Sequence, residues 1–398
     1  MLQDTTVIRQ PVLNKQMAIV GYELLLHPLV NDNKPNMDTL KSVHEHYDLT
    51  SLAGGARLFL PAEQIELSEE LLTLYPHPEN MVIEVNVSAA KNPEQLRLLK
   101  ILRRAGMILS LKDYQPTEHH NRVATACQMI KINTKEFNTD QLQTMVRNLH
   151  ESSMKVIADA VENESEFELL RALGFDFFQG FFFTNPIILH GKKLSANKLN
   201  LLQLLAKVNE ETTEFNELVD IIGHDVALTH KLLTAINHPQ MNLPLQVTSI
   251  ADGIRYMGMN RLKLWISMIL MAEVDEKPAA LMETSLIRAK FCEILAEHSG
   301  HKPEKNSFFL VGLFSTLGAY FNLPQSEVLD ELPLADYLKE AMLEHEGSVG
   351  KALWIAKQFE HPYTDLMSIN YEGSDIMRIS NDYMSATRWS YDALRHNV

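Results

Sequence analysis

The sequence predicts two folds in one chain: an α/β half built as a short, modified (β/α) barrel, then an all-α half. Three observations predict it. The chain has 398 residues, beyond the roughly 250–300 at which a single core stops growing. Up to about residue 190, short apolar runs alternate with amphipathic stretches. Beyond about residue 195 the strand-like runs stop, and apolar residues recur at helical spacing.

In the first half the strands are expected at Ile19–Leu24, Arg57–Leu60, Met81–Val85, Met107–Leu111, Met129–Ile132, Lys155–Ala158 and Phe177–Phe181. Helical patterns lie between them at Pro93–Ala105, Thr139–Ser152 and Ser165–Leu173. Gly106 and Gly174 stand where a helix hands over to a strand. Repeated strand–helix units imply parallel strands joined by right-handed crossovers, and seven or eight units imply closure into a TIM-like barrel. About 190 residues is short for that fold, so some helices must be reduced, with the stretch after Tyr114 a candidate.

In the second half, helical spacing is carried by Leu199, Leu202, Leu205 and Val208, by Phe215 to Ile222, and by Leu228 to Ile236. Further helices are expected at Ile250–Tyr256, Arg261–Glu273, Ser285–His298, Phe308–Phe321, Ala335–His345 and Val349–Phe359. The resulting division is a barrel over residues 1–190, a linker over 191–198 and a helical domain over 199–398, whose tail from Asn381 is polar with spaced aromatics. Trp265, Trp354 and Trp389 are expected to anchor helix packing, and the methionines around Met257–Met282 to fill core.

Composition excludes several classes. The net charge of −15 repels a phosphate backbone, and no basic stripe offsets it, so nucleic-acid binding is not expected. Cys127 and Cys292 are the two cysteines, too few for a disulfide framework or a zinc site. The opening residues lack the basic and apolar regions of a signal peptide, and no run approaches the roughly 20 apolar residues of a membrane span. The expectation is a cytoplasmic protein.

Barrel enzymes place their chemistry at the C-terminal ends of strands. The polar residues closing the strands here are Glu23, Glu84, Asp113, Lys131, Asp159 with Glu162, and Gln179. Carboxylates converging with a lysine suit a metal-dependent phosphoryl-cleaving site. At these residues the first half resembles the EAL-domain family of cyclic di-GMP phosphodiesterases. The resemblance runs through Gln10-Pro11-Val12, Gly21-Tyr22-Glu23-Leu24-Leu25, Val156 to Glu162, and Leu173 to Phe181.

The resemblance also implies losses. The family's substrate-phosphate arginine is His27 here, its metal-binding asparagine is Pro61, and an acid three residues beyond Glu84 is Val87. Its paired aspartates are Lys112 and Asp113, so an ammonium replaces the carboxylate that bridges two metals. The glycine of the following loop is Gln115, the acid near Lys131 is Asn133, and a water-activating glutamate is Asp159. A cation beside two divalent cations removes the electrostatic basis of a two-metal clamp. On this reading the barrel is expected to be no enzyme, to need no cofactor and not to bind cyclic di-GMP. The vestigial positions would be Glu23, Glu84, Lys112, Asp113, Lys131, Asp159 and Gln179. Two alternatives stand beside it: a weak Mg- or Mn-dependent phosphodiesterase using the retained residues, and an effector that binds the dinucleotide without turnover.

The segment 218–238 resembles the HDOD family through Asp225, Leu228, Leu232, Leu233 and Asn237. Val311 to Gly318 is similar to the metal motif of HD phosphohydrolases, but Ser315 and Thr316 occupy the His and Asp positions. His224-Asp225 spells that dyad in another helix, where Asp225 is expected to cap the turn that follows. The resemblance implies a bacterial regulator of motility or biofilm formation. It would act by contact with other signalling proteins through its helical domain, and its Ala-, Leu- and Met-rich helices are compatible with a homodimer.

Overall fold

A computed structural model describes residues 5–28, 36–62, 68–75, 77–88, 93–185, 196–209, 213–223, 226–237, 246–274, 277–361 and 366–397. The chain divides into two compact units. One comprises Met1–Phe183 with Gln358–Asn370 and Asp375–Met384; the other comprises Thr184–Lys357 with Tyr371–Ser374 and Ser385–Val398.

The first unit holds a closed eight-stranded barrel. Its strands are β1 (Thr5–Asn14), β2 (Ile19–Pro28), β3 (Arg57–Pro61), β4 (Met81–Val85), β5 (Ile108–Leu111), β6 (Met129–Asn133), β7 (Lys155–Asp159) and β8 (Phe177–Gln179). From β2 to β8 each neighbouring pair is parallel. The exception corrects the sequence reading: β1, which periodicity did not mark as a strand, runs antiparallel to both β2 and β8. Its residues 6–13 are all buried, so it lacks the inside–outside alternation that reveals a strand. The suspected short connection after Tyr114 does contain a helix, but a reduced one, Glu118–Ala124.

One layer of the interior is apolar and draws on every strand. Val12, Phe59, Val82, Met129 and Ile157 form a buried cluster, and Val20, Ile108 and Phe177 pack against it. Side chains alternate along a strand with period two. Two residues further toward the C-terminal ends of the parallel strands, the same inward face therefore presents Pro61, Glu84, Ser110, Lys131, Asp159 and Gln179. On antiparallel β1 the equivalent of that step is Gln10, opposite Glu23 in the β1–β2 register. Strand β2 departs from this step: two residues beyond Val20 is Tyr22, whereas Glu23 alternates with Gly21, where a Cβ would lie 2.6 Å from both the Arg57 carbonyl oxygen and the Phe59 ring. A polar layer thus sits directly on an apolar one, and the strand register dictates its membership.

The second unit is helical among its described residues, beginning with Ala196–Asn209, Phe215–Gly223 and Val226–Ile236. Asn237 closes the third of these helices: its amide donates to the Leu233 and Val247 carbonyls and accepts from Val247 N–H at 2.6 Å. Position 225, the expected cap, and His224 lie outside the described residues. The predicted helix Phe308–Phe321 is two helices, Lys305–Phe314 and Leu317–Phe321, broken at Ser315 and Thr316. The polar tail is ordered as the helix Ile376–Asn397. Within the second unit Trp389 meets Phe309 edge-on. Trp265 is buried, as are Met268, Met271 and Met282, but Trp354 is 40% exposed.

Helix Ala279–His298 and helix Lys305–Phe314 approach backbone to backbone at Gly312, where a Cβ would fall 2.5 Å from the Ala289 Cα and amide nitrogen. Overpacking of this kind costs roughly 1–3 kcal/mol. Gly312→Ala should therefore lower the stability of the helical unit by about 2 kcal/mol, read as a lower urea midpoint at unchanged slope.

Candidate functional site at the barrel mouth

The polar layer contains a buried charge cluster. Lys131 reaches across from β6 and is 1% exposed. Its Nζ lies 2.6 Å from Glu84 Oε1 and 3.2 Å from Glu23 Oε2. Gln179 on β8 donates to Gln10 Oε1 at 2.8 Å and also to Glu23 Oε2. Glu84 Oε2 and Gln179 Oε1 have no hydrogen-bond partner among the described residues. Asp159 ends β7; its carboxylate accepts from the amide of Ala160 at 2.8 Å, and its carbonyl accepts from Thr134.

Lys112 lies one step further out, two residues beyond Ser110. Its ammonium is 3.8 Å from Glu23 Oε1, and its side chain is 15% exposed. Two backbone bonds fix its position: Lys112 N–H donates to the Val85 carbonyl at 2.8 Å, and Tyr114 N–H donates to the Lys131 carbonyl at 3.2 Å. Asp113, between them, adopts φ 52° and is exposed to solvent. The turn therefore sends Lys112 into the mouth and Asp113 out of it. Glu162 is also outside, paired with Lys135 on the surface. The structure thus brings together Glu23, Glu84, Lys112, Lys131, Asp159 and Gln179, and leaves out Asp113 and Glu162. Gln10 belongs to the group and was missed, because its strand carries no alternation to mark it.

The electrostatics are asymmetric. Burial works against an ionised Glu23, but Lys131, a hydrogen bond with Glu84 and the charge of Lys112 together hold its carboxyl down at about 2. Burial and the neighbouring Glu23 charge push Glu84 the other way, well above the ordinary carboxyl range. Burial disfavours the Lys131 ammonium, yet Glu23, Glu84 and Asp159 hold it charged. Burial raises Asp159, against the pull of Lys131.

These donors do not fit a pair of divalent cations. Both glutamates are already bound to an ammonium, and a second ammonium faces Glu23. Pro61 and Val87 offer no side-chain oxygen, whereas hard cations need several. Among the described residues no three His, Cys, Asp or Glu side chains converge as a metal site.

In the helical unit, Ser315 and Thr316 are held by hydroxyl chemistry. Ser315 accepts from Arg288 at 3.0 Å and donates to the Gly312 carbonyl. Thr316 shares a 2.6 Å hydrogen bond with Ser285.

Comparison with known proteins identifies both halves. A model of the EAL domain matches residues 53–186, and one of the HDOD domain matches residues 198–342. The chain is an EAL–HDOD protein. It is 28% identical over 409 residues to the cyclic di-GMP phosphodiesterase CdgJ of Vibrio cholerae, covering 99% of this chain and 94% of that one. It is 25% identical to the uncharacterised YuxH of Bacillus subtilis, covering 98% of each. Among solved structures, a calcium and cyclic di-GMP complex of Klebsiella pneumoniae BlrP1 aligns at a TM-score of 0.38 and 18% identity, over 46% of this chain and 56% of that one.

Two expectations are corrected by these findings. A relative of matching length and domain order is named a cyclic di-GMP phosphodiesterase. The substitutions in the EAL–HDOD mouth therefore do not license the reading that it is no enzyme, nor the reading that cyclic di-GMP does not bind. The physical reason is that the retained part of the site is coherent: Glu23, Glu84, Lys131 and Gln179 still form one connected group. No helix among the described residues is long and apolar enough to cross a membrane.

Removing Lys131 would leave Glu23 and Glu84 buried without their shared cation. Lys131→Met should cost about 3–5 kcal/mol of stability, measured by denaturant unfolding. Glu84 gives a pH signature. Its folded pKa lies above its unfolded value of 4.5, so the folded state holds the extra proton and stability falls as pH rises through that window. Glu84→Gln should gain stability relative to the unaltered chain as pH is raised above 4.5, and the two unfolding midpoints should diverge in that direction.

Proposed function

We propose that this EAL–HDOD protein is a cyclic di-GMP signalling protein whose barrel mouth takes the dinucleotide and hydrolyses one of its phosphodiester bonds. The observation that carries the reading is the polar layer itself. Glu84, Asp159 and Gln179 lie at or next to the C-terminal ends of β4, β7 and β8, where barrel enzymes hold substrate, and Lys131 and Glu23 reach them from within β6 and β2. The full-length similarity to a named cyclic di-GMP phosphodiesterase supports it.

The chemistry asked of these residues is modest. Water attacks phosphorus, one phosphorus–oxygen ester bond breaks, and the leaving oxygen takes up a proton. Asp159, raised by burial, is a base nearer to neutral working range than an ordinary aspartate. The buried Glu23–Lys131–Glu84 cluster keeps the floor rigid, so that positioning is maintained. The helical domain is read as the contact module. Its helices Asp336–Leu343 and Gly347–Gln358 expose Tyr337, Leu343 and Trp354, residue types that include frequent interface anchors.

The test is turnover of cyclic di-GMP by the purified full chain, followed as linear product, in magnesium, in manganese and in chelator. Linear product should form, and Asp159→Asn should reduce its rate about a hundredfold or more with the unfolding midpoint little changed. Absence of product in all three conditions would refute the hydrolytic reading.

A further inference from the structure

Lys112 is the one member of the mouth cluster whose position the functional reading leaves unexplained. Lys131 cannot greet a ligand: it is 1% exposed and engaged by both glutamates. Lys112 is different. It shares Glu23 with Lys131, but at a longer 3.8 Å, and part of its side chain remains open. Its N–H is bonded to the Val85 carbonyl on one neighbouring strand, and Tyr114 N–H, two residues on, is bonded to the Lys131 carbonyl on the other, so the segment that delivers the ammonium is held on both sides.

The charges around it favour an anion. The groups facing it are Glu23, Glu84, Asp159 and Lys131, with Gln10 and Gln179 neutral. Burial and the Glu23 charge hold Glu84 toward its protonated form. Lys131 and Lys112 set two ammonium groups against Glu23 and its neighbours. The two ammonium groups offset carboxylate charge in the mouth, which weakens its pull on divalent cations and its repulsion of a phosphate.

We infer that Lys112 serves as a tethered cation that receives a phosphate of the dinucleotide, so that binding needs no divalent ion. This rests on the reading of the mouth as a cyclic di-GMP site. An ammonium is a compact point charge with three donors. It can turn between Glu23 and an incoming phosphate oxygen without leaving the mouth. A fixed cation of this kind makes affinity independent of the ion supply, whereas coordination through released or bound metal would make it follow metal concentration.

The experiment is isothermal titration of the full chain with cyclic di-GMP, in EDTA and in excess manganese. The expected result is equal affinity within about threefold in the two buffers, a charged contact being retained in both. Lys112→Met should weaken binding in EDTA by about tenfold or more, and Lys112→Arg should restore most of it. Circular dichroism of each variant confirms the fold. Binding seen only with manganese, or unchanged by Lys112→Met, would overturn the inference and leave the dinucleotide reading standing. No binding in either buffer would overturn both.

Discussion

The barrel of this protein depends on one buried ionic contact: the Lys131 ammonium held between Glu84 at 2.6 Å and Glu23 at 3.2 Å. Transferring such charges out of water costs several kcal/mol per ion. They persist only because each is matched and the surrounding geometry is fixed. Gln179 and Gln10 extend the match to β8 and β1, so strands from opposite ends of the first unit's sequence meet in one hydrogen-bonded group. The contact ties β1, β2, β4, β6 and β8 to a common point, and no pair of them can shift register without breaking it.

The same contact decides what the mouth can hold. Carboxylates in a barrel mouth are natural ligands for hard cations, but here the cation is part of the chain. The Lys131 ammonium lies against both Glu23 and Glu84, and Lys112 approaches Glu23 as well. The result is a site whose two glutamates already face ammonium groups of the chain itself. That combination reconciles the substitutions at Pro61, Val87 and Lys112 with full-length similarity to a protein named a phosphodiesterase.

The helical unit repeats the theme in neutral form. Positions that carry a metal dyad in related hydrolases, by the resemblance of sequence, are hydroxyls here. Thr316 bonds Ser285, and Ser315 accepts from Arg288. Buried polar groups have to be satisfied locally, and these are satisfied by the neighbouring helix. The close approach at Gly312 allows it, since the short hydroxyl side chains reach one another only when two helices run nearly in backbone contact. The break between Phe314 and Leu317 follows from the same segment and is the reason one predicted helix became two.

The sequence by itself determined the change of architecture from strand–helix alternation to helices, because periodicity is a local property. It also determined most members of the mouth, because strand-ending polar residues are visible one strand at a time. Tertiary structure decided the rest. Periodicity did not mark strand β1, because it is buried on both faces and shows no alternation; the resemblance ran through Gln10-Pro11-Val12, but Gln10 was not read as a member of the mouth. Asp113 and Lys112 are neighbours in sequence, yet a positive φ at Asp113 sends one outward and leaves the other facing Glu23. The opposite shifts of Glu23 and Glu84 are equally invisible along the chain: the two are the same residue type, and burial together with the Glu23 charge raises Glu84, while Lys131, Lys112 and hydrogen bonds lower Glu23.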